Sequence, residues 1–330
     1  MRWVDWDGKQ LKKVQDINWL LASGEELLRL MKSGNVALGN ESYLYSRRPD
    51  RFDRIISMCS WIEFPGDVAV VGTKWVSSNT GNRDMGLPRG AAITILNDAK
   101  TGLPMLAFSG SNISMARTAM VSCLAMKYLF DSDGPSSMGL VGAGMVHAWQ
   151  AVLAKKLWPD LTILVYDLDK ERAYEFAEQN ACRVVQDWRD CLHCDVFSLA
   201  TSGIRSVCWL PATLELHPLM AKVWLNTSLR DMQFGLVEKF PLVVVDDHEL
   251  AISESTSYGL ACQSGIFTGK EISLIDLVVD GFKLQPDFHC PVLVTPMGLA
   301  TWDVGIGYRL FEEEFKAELG KLNGVAVGKS

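Results

Sequence analysis

Lys74, Arg89 and Arg117 each stand in a segment of otherwise apolar or small residues: Gly72-Thr73-Lys74-Trp75-Val76, Pro88-Arg89-Gly90-Ala91 and Met115-Ala116-Arg117-Thr118-Ala119. A cation beside buried structure needs an anionic partner. A ligand carrying carboxylates would supply one, and arginine is built for two-pronged carboxylate recognition. Each could equally pair with an Asp or Glu of the protein. Asp231, in Ser228-Leu229-Arg230-Asp231-Met232, follows an expected strand end, where open α/β sheets gather ligands. It is a candidate acid or base, or else a helix N-cap.

A second constellation is Gly139-Leu140-Val141-Gly142-Ala143-Gly144-Met145-Val146-His147, which ends an apolar strand and opens a helix. Gly142 permits the tight turn, and Gly144 lets the backbone approach a diphosphate held by the amides of Met145 and Val146 at the helix start. Asp167 closes the next strand 25 residues after Gly142, where a carboxylate can accept ribose hydroxyls and repel a 2′-phosphate. NAD is therefore the expected cofactor, in preference to NADP. His147 replaces the third glycine of the pattern and is expected to cap the helix or face solvent.

The elements that must position these residues fall into three zones. Up to about residue 130 the chain is β-rich, with a helix around Glu25–Lys32, strands at 68–71 and 91–96, and a hairpin turn at 97–102 leading to a strand at 103–108. A helix over 114–130 links this zone to the next and stops at Gly134-Pro135. From about 136 to 298, short apolar strands at 138–141, 161–166, 195–200, 222–226 and 242–246 alternate with helical segments, the pattern of a parallel doubly wound sheet. An amphipathic helix from about Ala300 to Leu322 is expected to pack back on the first zone. The fold class is α/β: a Rossmann-type domain over 131–298, plus a β-rich α+β domain built from 1–130 with 299–330.

Composition narrows the function classes. With 48% hydrophobic and 22% charged residues the chain is globular, which excludes disorder and repeat-fibre classes. A net charge of −7 without basic runs argues against nucleic acid or anionic membrane as a partner. No apolar run reaches the ~18 residues of a membrane helix, and the first residues lack a secretory pattern, so a cytoplasmic location is expected. The eight cysteines are unevenly spaced and read as reduced thiols. Cys191 and Cys194 could be half of a metal or redox pair, but no second such pair completes it, and no metal is expected.

Taken in order, these segments resemble the ornithine cyclodeaminase and μ-crystallin family over nearly the whole chain. Asp53-Arg54-Ile55-Ile56-Ser57-Met58, Gly72-Thr73-Lys74-Trp75-Val76, Ser114-Met115-Ala116-Arg117-Thr118-Ala119, Ser228-Leu229-Arg230-Asp231, Val243-Val244-Val245-Asp246-Asp247 and Pro296-Met297-Gly298 are similar to one branch, the N-(2-amino-2-carboxyethyl)-L-glutamate dehydrogenases. That branch makes 2,3-diaminopropionate for siderophores and peptide antibiotics. The resemblance implies a homodimer, an amino-acid substrate with carboxylates, and NAD. It implies that Lys74 contacts a carboxylate or polarises the reacting centre, that Arg117 clamps a carboxylate, and that Asp231 handles protons. Thr118 would lie near the diphosphate, Thr201 and Asn226 near the nicotinamide. The alternatives it leaves are a cyclodeaminase, a cyclic-imine reductase and a non-catalytic μ-crystallin-like binding protein. The chain departs from the family at 36–41, where a basic residue is usual and Val36-Ala37-Leu38-Gly39-Asn40-Glu41 has none, and at Met58-Cys59, where no glutamate precedes. A substrate with one carboxylate fewer, or a more apolar arm, is the corresponding expectation.

Overall fold

The computed structural model describes residues 2–4, 9–47, 53–201, 208–217, 219–284 and 290–322. The first zone contains β1 (Arg2–Val4), α1 (Lys9–Val14), α2 (Ile17–Lys32), β2 (Val36–Leu38), β3 (Ser42–Tyr45), β4 (Arg54–Phe64), β5 (Val68–Ser78), β6 (Gly90–Asp98) and β7 (Pro104–Ser109). These strands form one sheet in the order β1-β7-β6-β5-β4-β2, with β3 also on β4; only β1 runs parallel to its neighbour. Alternation explains the sheet's two faces. Met58, Ser60, Ile62 and Phe64 of β4 point inward, while Cys59, Trp61 and Glu63 between them point out. Strand β5 places Val70, Gly72 and Lys74 on the inner face.

The linker α3 (Ser111–Leu129) is buried on most sides, since it lies between this sheet and the second one. The second sheet collects β8 (Ser137–Val141), β9 (Thr162–Tyr166), β10 (Arg183–Val184), β11 (Val196–Leu199), β12 (Val223–Asn226), β13 (Leu242–Val245), β14 (Lys270–Ser273) and β15 (Val292–Val294). Its order is β10-β9-β8-β11-β12-β15-β13-β14 and every pairing is parallel. Helices α4 (Met145–Leu157), α5 (Lys170–Asn180), α6 (His248–Ser253), α7 (Ser257–Gln263) and α8 (Leu274–Val278) pack against it. Val244 faces one core, whereas Val243 and Val245 face another, where Trp224 stacks edge-on with Phe197 and Phe240.

Helix α9 (Ala300–Leu322) returns to the inner face of the first sheet. The approach depends on Gly72: a Cβ there would stand 2.7 Å from Val304 of α9 and 2.9 Å from the Ile95 carbonyl. With no side chain in the way, α9 lies directly on β5, two residues from Lys74. No helix among the described residues is long and apolar enough to cross a membrane.

Candidate active site

A cleft of about 290 Å³ opens between the inner end of the first sheet and the carboxyl ends of the parallel strands. Strand β8 pairs with β9 on one side and β11 on the other, so the chain reverses its winding direction there, the place where open α/β sheets leave a crevice. Among the residues singled out from sequence, Lys74, Arg89, Arg117, Thr118, Val146, Thr201 and Asp231 all line this one cleft.

Lys74 is almost wholly buried. Its Nζ donates to Ser114 Oγ at 2.7 Å and to Asp303 Oδ2 at 3.1 Å. Burial and the nearby Arg117 push the ammonium down to about 8, against the opposing pull of Asp303. Arg117, one helical turn from Ser114, places Nε 3.1 Å from the same Oδ2. Asp303 is fully buried and its Oδ1 has no hydrogen-bond partner among the described residues. Two cations thus share one carboxylate oxygen at the edge of the cleft. Behind Arg117 stands a second buried carboxyl, Asp246, which accepts the amides of Met297 and Gly298. Gly298 lies against the Arg117 guanidinium, so this turn backs the arginine from below.

Asp231 does not cap a helix, which corrects that alternative: the next helical turn starts at Phe234, with Gln233 at its N-cap position. Its buried carboxylate accepts from Ser228 Oγ at 2.5 Å, from Thr201 N at 3.3 Å and from the Thr201 hydroxyl. The turn that carries it forces Leu229 to φ 67, a conformation rare for a non-glycine residue. Ser257 holds that turn by donating its N–H to the Leu229 carbonyl at 2.9 Å and its Oγ–H to the Met232 carbonyl at 2.6 Å. Such strain at a cleft is a common mark of function.

The glycine loop has the geometry of a diphosphate cradle. Gly142 sits at φ +107, and a Cβ would meet the Ala200 carbonyl at 2.6 Å, so only glycine fits. A Cβ on Gly144 would meet only Arg172 Nη2, at 3.9 Å, leaving open space above the start of α4. No side chain caps that helix and no acidic residue stands in its first turn. Asp167 accepts Ala143 N at 2.7 Å and Asp169 N at 3.0 Å, which ties the loop to the end of β9. Met145 is exposed beside the loop. Asn226 lies deeper than the cleft wall: its Nδ2 donates to Thr295 Oγ1 at 3.4 Å and its buried Oδ1 has no partner among the described residues.

His147 corrects its sequence reading. It neither caps nor faces solvent but is fully buried, with Nδ1 against the Gly142 carbonyl at 2.5 Å and Nε2 against Ser198 Oγ at 3.0 Å. Burial pushes it down to about 4, so the ring is neutral; the Gly142 carbonyl can only accept, which puts the proton on Nδ1, and Nε2 lies against Ser198 Oγ, whose single proton is also within reach of Gln150 Oε1 at 2.8 Å. It acts as an internal strut between the glycine loop and β11.

The 36–41 segment brings no cation, as read from sequence, yet the cleft does not lack them: Arg54, Arg89 and Arg230 line it from other segments. Position 41 contributes a carboxylate instead. Glu41 accepts from the Tyr43 hydroxyl and is pushed up by burial, with Glu254 adding repulsion across the cleft. Sequence reasoning missed Asp303, Ser114, Asp246, Glu41 and Arg172. For Asp303 a signal existed: it is the one acidic residue between Ala300 and Phe311, in a stretch that is otherwise apolar apart from Thr301, two glycines, Tyr308 and Arg309. Cys191 and Cys194 are free, buried thiols whose ionisation is pushed up by burial.

Comparison with known proteins agrees with this geometry. The sequence is 27% identical to N-((2S)-2-amino-2-carboxyethyl)-L-glutamate dehydrogenase of Staphylococcus aureus over 286 residues, 81% of each chain. The fold superposes on Thermococcus litoralis Delta(1)-pyrroline-2-carboxylate reductase, solved with NADH and L-proline, with a TM-score of 0.80 at 21% identity, covering 96% of this chain and 98% of that one. It also superposes on an archaeal alanine dehydrogenase dimer with bound NAD, with a TM-score of 0.74 at 19% identity, over 94% and 95% of the two chains. The sequence profile of the ornithine cyclodeaminase/mu-crystallin family matches residues 12–192, more than half of the chain and all of the segment from α2 through the glycine loop and Asp167. The chain belongs to the ornithine cyclodeaminase/mu-crystallin family.

Proposed function

We propose that this protein is an NAD-dependent dehydrogenase of a secondary amine, and that its substrate is N-(2-amino-2-carboxyethyl)-L-glutamate. The observation that carries the reading is the meeting, in one cleft, of two buried cations that share a single carboxylate (Lys74 and Arg117) with Asp231 and the residues beside the glycine loop. Kinship with dehydrogenases acting on amino acids supports the reaction class.

NAD fits the residues present: Gly142 makes the turn, Gly144 with Met145 and Val146 offers uncapped amides to the diphosphate, and Asp167 stands where the adenosine ribose needs acceptors. Thr118 is assigned to the diphosphate side; Thr201 and Asn226, at adjacent strand ends, to the nicotinamide side. The orphaned Asn226 Oδ1 supports that assignment. When bound, NAD accepts a hydride.

The protein's own residues do the rest. Lys74 and Arg117 hold the carboxylate beside the reacting carbon and Arg89 a second one, which fixes the C–H bond in orientation. Asp231, within reach of the cleft, takes one proton from the protonated amine and passes it to solvent; hydride then leaves the α-carbon of the neutral amine, and the C–N bond becomes an iminium that keeps its N–H. Water attacks the iminium carbon while Asp231 takes its proton, and Asp231 returns that proton to the nitrogen. The remaining hydroxyl proton passes to the departing amine as the C–N bond breaks, which yields 2-oxoglutarate and 2,3-diaminopropionate. The functional unit in this reading is a homodimer of subunits divided into 131–298 for NAD and 1–130 with 299–330 for substrate. The outer face of the first sheet supports the dimer: Trp75 and Ile93 are cross-strand partners and, with Trp61, are 39–50% exposed.

The test is absorbance at 340 nm with NAD and the proposed amine, with product identification. NADH formed together with 2-oxoglutarate supports the reading. Ammonia release from ornithine without net NADH would replace it with the cyclodeaminase alternative.

A further inference from the structure

The segment that approaches the diphosphate carries no positive charge of its own. From Ser137 to Gln150 there is neither Lys nor Arg, and Lys155 and Lys156 lie at the far end of α4. Uncapped amides at a helix start attract an anion, and a diphosphate brings two charges to a loop segment that has no cation of its own.

A cation reaches this loop from the neighbouring unit. Arg172 occupies the first turn of α5, whose N-cap is Asp169. Its Nε donates to the Ala143 carbonyl at 2.8 Å, while Asp167 accepts the Ala143 amide at 2.7 Å. Both polar groups of the central loop residue are therefore gripped by the connection between β9 and α5. This grip fixes the guanidinium: Nη2 lies 3.9 Å from where a Cβ of Gly144 would stand, the point at which that glycine leaves room for the cofactor.

We propose that Arg172 is the diphosphate-contacting cation of the NAD site. Its Nε serves the loop and its Nη groups serve the ligand, so one side chain both shapes the cradle and supplies the countercharge. The inference rests on the NAD reading above, and its test keeps the two separable.

The experiment titrates the purified protein with NADH, following the rise in nicotinamide fluorescence, then displaces NADH with ADP and with adenosine. Wild type is compared with Arg172→Met, which keeps length and loses charge, and with Arg172→Lys, which keeps charge. Arg172→Met should weaken NADH and ADP by about ten- to hundredfold, the range of a hydrogen bond to a charged group. Adenosine should bind as before, and Arg172→Lys should recover part of the loss. Equal weakening of adenosine and ADP would mean that Arg172 only holds the loop, and unchanged NADH affinity would remove it from the site; either result overturns the proposal. Failure of the wild-type protein to bind NADH would instead sink the cofactor reading, and this inference with it.

Discussion

Asp303→Asn is the most informative single change, because it alters charge in the site without altering shape. The carboxylate oxygen lies 3.1 Å from Lys74 Nζ and 3.1 Å from Arg117 Nε, with both side chains nearly out of solvent. At an effective dielectric of about 20, each contact is worth about 5 kcal/mol of attraction. One pKa unit corresponds to about 1.4 kcal/mol. If only a third of the Lys74 attraction is expressed in its ionisation, its midpoint moves by about one unit, downward from the present value of about 8. Lys74 binds an anion only when charged, so anion affinity is present below the midpoint and lost as pH rises through it. The variant should lose that affinity about one pH unit earlier. Leaving two buried cations short of their counter-ion should also destabilise the fold by about 3 kcal/mol, the low end for breaking a buried pair because Asn keeps the packing. The assay is calorimetric titration with 2-oxoglutarate from pH 6 to 9, with thermal melts in parallel. A pH limb at or above the wild-type position, together with an unchanged melt, would refute the reasoning that Asp303 sustains the charge on Lys74.

Asp231→Asn should lower kcat by about 10²–10⁴-fold, the usual contribution of a positioned base, while NADH affinity measured by fluorescence stays within about twofold; unchanged turnover would remove Asp231 from the chemistry. His147 is held at about 4 in the fold, below its usual 6.5, so the unfolded chain binds more protons between those values and stability must fall as pH drops from 6.5 toward 4, by about 3 kcal/mol in all. Urea unfolding at pH 7.5 and 5 should show this slope in wild type and a shallower one in His147→Gln. Trp75→Glu, which charges the exposed outer sheet face, should convert the proposed dimer to monomers in light scattering; a monomeric wild type would refute a dimer at that face.

The parts of this architecture that could be read from sequence are the local ones. The strand-glycine-helix unit at 137–157 spans one contiguous stretch, and Asp167 follows one strand later, so the cradle is legible without knowing what surrounds it. Lys74 and Arg117 stood out because a cation in an apolar segment is an unpaid electrostatic problem whose existence, though not its solution, is visible locally. For Lys74 the solution lies 229 residues away, on a helix brought close by the absence of a side chain at Gly72. Strand β15 is hidden for a similar reason: three apolar residues at 292–294 insert between β12 and β13, and nothing in Val292-Leu293-Val294 specifies those partners. His147 was misplaced because helical spacing cannot say which side of α4 meets Ser198 of β11.

The 36–41 segment carries the sharper lesson about charge. Reading one missing cation as one carboxylate fewer in the substrate assumes that a cleft inherits its charge from corresponding positions in sequence. Here the wall is assembled from β4, β5, α3 and several loops, and Arg54, Arg89 and Arg230 enter it from three of those separate segments while Glu41 enters from the one that lacks a base. What the substrate meets is the summed field of these groups, in which Glu41 and Glu254 repel each other and a cationic amine between them would relieve the repulsion. N-(2-amino-2-carboxyethyl)-L-glutamate carries such an amine alongside its carboxylates, so the departure at position 41 is compatible with the proposed substrate once charge is counted over the cleft instead of along the chain.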